Sequence, residues 1–109
     1  MTYQQISTMV ASIGLPYAYN EFPDGTAQSP PFICFLYDTS NDFAADNTNY
    51  VKVRPLVIEL YTDNKSFSLE QTVESVLEAN GLFYTRNETY IASERMFLVT
   101  YTMEVCING

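Results

Sequence analysis

From Arg95 to Ile107 the chain alternates with a period of two. Phe97, Val99, Tyr101, Met103 and Val105 fall on one parity, and Thr100, Thr102 and Glu104 on the other. Successive side chains of a strand point to opposite faces, so this run predicts a long antiparallel strand, apolar on one side and wet on the other. Such a strand needs partner strands to satisfy its backbone and a second layer to cover its apolar face. A chain of 109 residues has room for one domain and one core, so residues 1–109 are read as a single domain.

The partners are visible upstream. In Tyr50–Thr62, Lys52 and Arg54 alternate with Val51 and Val53, and then Leu56, Ile58 and Leu60 take the opposite parity. That switch predicts a bulge at Arg54-Pro55, and the missing N–H of Pro55 predicts a sheet edge there. The unbroken apolar run Phe32–Tyr37 predicts a strand buried on both faces. Tyr17-Ala18-Tyr19 is a candidate short strand, and Leu82–Tyr90 another strand with a candidate turn at Arg86-Asn87.

Two helices supply the covering layer. Tyr3, Ile6, Val10 and Ile13 recur at helical spacing with Met9 beside them, and Gly14 supplies a stop. Ser68, with Gln71 three residues on, has the spacing of a capping box ahead of the stripe Leu69, Val73, Val76 and Leu77. Asn80-Gly81 ends that helix. Glu70, Glu74 and Glu78 form an i, i+4 row on another face, whose default reading is a solvated surface. The fold class is therefore α+β: one antiparallel sheet of four to five strands with two helices packed on one face.

Composition bounds the chemistry. The chain has no histidine, which removes His-based triads and the commonest ligand of catalytic zinc. Four glycines form no phosphate loop, and Cys34 and Cys106 are too far apart for a CxxC pair. Their place in strand-like segments predicts buried free thiols, and no basic, apolar leader opens the sequence, so an intracellular chain is expected. No enzyme activity and no cofactor are expected. Thirteen acidic against five basic side chains give a formal charge of −8, which argues against binding nucleic acid or anionic lipid. No apolar run approaches the length of a membrane span.

The polar stretch Asp38–Asn49 places Asp38, Asp42 and Asp46 four apart, but without the spacing or glycine of an EF-hand loop. A hydrated loop or projecting hairpin tip is the expectation. Nine tyrosines, several at strand ends, suit either the rim of a core or contacts between subunits.

Several segments resemble those of a family of small virion proteins from long-tailed phages and Gram-positive prophages. They are the opening Met-Thr-Tyr-Gln-Gln-Ile helix, the Gly14-Leu15-Pro16-Tyr17-Ala18-Tyr19 exit and Pro31-Phe32. Further on they are Asn41-Asp42-Phe43-Ala44-Ala45-Asp46, Ile58-Glu59-Leu60-Tyr61-Thr62-Asp63 and the strand opening at Glu94-Arg95-Met96-Phe97. The resemblance implies a tail-terminator or head-to-tail joining protein, assembled in the bacterial cytoplasm into the virion. It implies a hexameric ring of this chain, with tail tube protein and head connector proteins as partners. On that reading the candidate subunit contacts are Asp38, Asp42, Phe43 and Asp46 in the loop and Lys52 and Arg54 on the following strand. The alternative is a monomeric acidic protein that mimics DNA and blocks a host partner through the Glu70-Glu74-Glu78 face.

Overall fold

The computed structural model describes residues 1–26, 28–38 and 51–108, leaving aside the side chains of Val51 and Lys52. In chain order the elements are α1 (Tyr3–Ala11), β1 (Tyr17–Tyr19), β2 (Phe32–Tyr37), β3 (Val51–Thr62), α2 (Phe67–Ala79), β4 (Tyr84–Ile91) and β5 (Met96–Asn108). The strands form one sheet in the order β1-β2-β3-β5-β4. Four of them pair antiparallel as the alternation predicts, and β1 joins at one edge parallel to β2, which makes the sheet mixed.

The core lies between one face of this sheet and both helices. Ile6, Met9 and Val10 of α1 and Val73 and Leu77 of α2 pack with Ile33, Phe35, Leu56, Ile58, Leu60, Val99, Tyr101, Met103 and Val105. On β3 and β5 these strand residues alternate with exposed or half-buried ones, so a register slip by one residue would turn the core out to solvent.

Local chemistry fixes the helix ends. Thr2 caps α1: its hydroxyl accepts from the Gln5 backbone N–H, and the Gln5 side chain accepts from the Thr2 N–H at 2.8 Å. The cap of α2 is Ser66, which accepts from the Leu69 N–H, so this helix begins before the Ser68 position expected from sequence. Gly81 follows at φ +71°, the left-handed conformation that ends a helix without a Cβ penalty.

Two further expectations are corrected. The register of β3 against β5 runs unbroken from Val51↔Asn108 to Thr62↔Phe97, so there is no bulge at Arg54-Pro55. The parity switch arises because Val53 is left exposed on the helix-free face, while Arg54, opposite Val105, takes the parity of the core residues. Pro55 is tolerated in a central strand because β2 has already ended. Its carbonyl accepts from the Asp38 N–H at 3.0 Å, and its missing donor falls beyond the last β2 pair, Tyr37↔Leu56. Likewise β4 runs straight through Arg86-Asn87 with no turn.

Candidate functional site

The Glu70-Glu74-Glu78 row is not uniformly solvated: Glu70 is buried, Glu74 half-buried and Glu78 exposed. α2 lies over β4 and β5 on the helix side, where Arg86, Glu88 and Tyr101 share the parity of the core residues. Glu70 is 5% exposed and receives both Lys65 and Arg86. Glu74 accepts from the Tyr101 hydroxyl at 2.7 Å, and Glu78 from the Tyr84 hydroxyl at 2.8 Å. Glu88 closes the group by pairing with Lys65 and Arg86. A like-charged row is held together here because the two cations and two tyrosyl hydroxyls interleave with the carboxylates.

The protonation states follow. The hydrogen bond from Arg86 to Glu70 outweighs desolvation and holds the guanidinium charged. Burial works against the Lys65 ammonium, but its bonds to Glu70 and Glu88 raise its pKa on balance. Hydrogen bonds from Lys65 and then Arg86 hold the Glu88 carboxyl below its ordinary 4.5. Burial and the bond to Glu74 keep Tyr101 neutral well into alkaline solution.

Aromatic rings crowd the β1 edge. Tyr3 meets Tyr37 edge-on at 5.1 Å, and Tyr19 meets Phe35 edge-on at 5.4 Å. Tyr3, Tyr17 and Tyr19 are each about half exposed. The Tyr37 hydroxyl is buried without a hydrogen-bond partner among the described residues, and burial, with Tyr3 and Tyr19 beside it, pushes its pKa up to about 12. On the helix-free face Phe22 packs edge-on against Phe32 at 5.4 Å, and Phe32 stacks on Tyr61 at 4.8 Å. This patch shelters Cys34. Burial, with Glu59 and Glu21 nearby, pushes that thiol up to about 11, so it is a poor nucleophile. Cys106, expected buried, is exposed, because it lies on the outward parity of β5.

Asp42, Phe43 and Asp46 lie outside the described residues. Asp38 is exposed just past β2, beside Pro55, and Lys52 and Arg54 occupy alternate positions of β3 opposite Ile107 and Val105. Asp38, Lys52 and Arg54 therefore gather at the end of β3 that outruns β2. Among the described residues no three Cys, Asp or Glu side chains converge as a metal site, and no helix is long and apolar enough to cross a membrane.

The surface features that pattern reading missed are the two sheet edges. β1 is short and guarded by aromatic rings. β4 is long and regular, with Phe83 (93% exposed) and Tyr90 (51%) at its ends. An apolar residue just after the helix-ending glycine carries no signal in sequence that it will stand in solvent.

No protein-family model matches the chain, and no curated protein matches it. Among solved structures, its fold is similar to that of a chain in the virion of a native gene transfer agent (GTA) particle. The two share 17% identity over 98% of this chain and 91% of the other, with a TM-score of 0.62. At that identity the likeness is one of fold.

Proposed function

We propose that this chain is a structural subunit of a phage-type virion, placed at the junction of head and tail. There a ring of about six copies caps the tail tube and joins it to the head connector. The observation that carries the reading is the fold likeness, nearly end to end, to a chain of an assembled virion particle. The segments resembling tail-terminator and head-to-tail joining proteins support the finer placement. The role is architectural and needs no catalytic centre, and the protein's place is the virion, reached by assembly in the host cytoplasm.

The physical properties suit such a subunit. A rigid sheet covered on one side by helices leaves the other side and both edges for neighbours. A formal charge of −8 lets DNA pass without adhering. Asp38, Lys52 and Arg54 at the outrunning end of β3, with Asp42, Phe43 and Asp46 between β2 and β3 in sequence, are the proposed contacts to tube, connector or adjacent subunit. The acidic-mimic alternative loses much of the surface it relied on, because Glu70 is buried in ion pairs and Glu74 is half-buried on Tyr101, while Glu78 is exposed and bonded to Tyr84.

The test is negative-stain imaging and native mass of the protein alone and after mixing with purified tail tubes. Rings of about six copies, or a cap at one end of the tubes, are the expected result. A protein that neither closes into rings nor is taken up by tubes would remove the reading.

A further inference from the structure

Natural sheets protect their edges with short strands, prolines, lysines or bulges, because an open row of N–H and C=O groups invites another strand. β1 follows that rule, with three residues. β4 does not. It has eight residues, no proline, no lysine, and an unbroken register with β5 from Tyr84↔Met103 to Ile91↔Met96. Its two charged residues, Arg86 and Glu88, are tied to α2 and Lys65 on the helix side.

Which backbone groups face outward follows from the ladder. The bond from the Asp38 N–H to the Pro55 carbonyl makes that pair a hydrogen-bonded one, so the odd residues of β3 point to β2 and the even ones to β5. Carried across β5, the alternation points Thr85, Asn87, Thr89 and Ile91 inward to β5. It leaves the N–H and C=O groups of Tyr84, Arg86, Glu88 and Tyr90 facing out.

The sequence along this edge is self-complementary. Phe83 to Ile91 reads Phe-Tyr-Thr-Arg-Asn-Glu-Thr-Tyr-Ile. Turned antiparallel on itself about Asn87, it sets Asn87 on Asn87, Arg86 on Glu88, Thr85 on Thr89, Tyr84 on Tyr90 and Phe83 on Ile91. The outward-facing residues then meet one another, Tyr84 with Tyr90 and Arg86 with Glu88, as hydrogen-bonded pairs. Opposite charges and aromatic pairs directly across strands are the stabilising combinations. The Arg86 and Glu88 side chains are still about one-third exposed, and so remain reachable from across the edge.

We infer that β4 is a two-fold self-association edge, on which a second copy of this chain docks antiparallel about Asn87 to join two five-stranded sheets into one. The seam carries about eight backbone hydrogen bonds. It gives Phe83, otherwise bare in solvent, a partner in Ile91 of the second copy. The contact is isologous, whereas a closed ring is built from heterologous contacts. The pairing is therefore a second association of the chain, independent of the ring.

The experiment is sedimentation equilibrium of the full chain from about 1 µM to about 1 mM, the range in which a small, single-strand interface would show. Two variants are run beside it. T85K with T89K sets lysine against lysine at both positions of the seam. T85K with T89E sets lysine against glutamate. Both residues are exposed on the helix-free face, four positions apart in an extended strand, so they do not pair with each other within one chain, and any pairing of the lysine at 85 with Glu104 is common to both variants. Circular dichroism and thermal unfolding check that both fold as the parent does. The expected result is a monomer–dimer equilibrium in the parent, weakened about tenfold in the Lys/Lys variant and restored in the Lys/Glu variant. A parent that stays monomeric throughout, or a dimer equally strong in both variants, would overturn the inference. Uptake of the Lys/Lys variant by tail tubes, measured separately, reports on the ring alone.

Discussion

Replacing Glu70 by Gln removes one charge and almost no volume, and the seam between α2 and β4 should register it strongly. The carboxylate is 6% exposed and receives Lys65 and Arg86, one on each oxygen. A glutamine there still accepts from one cation but turns its own N–H groups toward the other. Hydrogen bonds to charged groups are worth about 1.5–3 kcal/mol each. The Lys65 and Arg86 side chains are 23% and 35% exposed, so both recover part of that from water, and about 2 kcal/mol is the expected net loss. For a domain of this size that lowers Tm by about 10 °C. The assay is urea unfolding at pH 7 followed by far-ultraviolet circular dichroism, with E70Q, R86M and the double variant completing a cycle. The double variant should be less destabilised than the sum of the singles by about 1 kcal/mol or more. Acid should act on the same seam with a definite sign. Because Glu88 is held below 4.5 in the fold, its contribution is present above that pH and is lost as the pH falls through the lowered value. An E70Q protein within about 0.5 kcal/mol of the parent, or a cycle without coupling, would refute the view that this row is structural.

Two further outcomes test other parts of the fold. Spectrophotometric titration should show Tyr37 and Tyr84 still neutral at pH 11 and ionising near 12, with Tyr61 and Tyr101 later, whereas all nine tyrosines ionise near 10 once urea unfolds the chain. The stability these four contribute is fully present below pH 10 and disappears as the pH rises through their folded values. A thiol reagent at pH 8 should modify Cys106 at once and Cys34 only on unfolding; equal rates would contradict the shelter given by Phe22, Phe32 and Tyr61.

The long strand was legible because its period is set by burial. From Val99 to Ile107 every second residue packs into the core, so nothing competes with the alternation. At Val53 and Arg54 the same rule misled. There an arginine takes the core parity opposite Val105, and an exposed valine beside a half-buried arginine reads as a bulge. The parallel pairing of β1, in a sheet expected to be antiparallel throughout, was not legible because three residues carry no information about direction. The acidic row was the largest gap. Spacing on α2 identified a shared face for Glu70, Glu74 and Glu78, but Arg86 and Tyr101, which bond to it, lie on other elements, and only the tertiary fold brings them together. The residues proposed as subunit contacts were chosen by resemblance and charge, and of these the structure describes Asp38, the backbone of Lys52, and Arg54.

The pairing of the acidic row also changes how the molecule looks from a distance. Glu70, Glu74, Glu78 and Glu88 stand with Lys65 and Arg86, four negative charges against two positive, so this group carries a formal −2 of the chain's −8. Four carboxylates alone would present −4, so a second copy approaching along β4 meets half the charge that they by themselves would carry. Two copies of a −8 chain still repel in dilute buffer, and added salt, which screens their fields over about 10 Å at 0.1 M, should ease their approach.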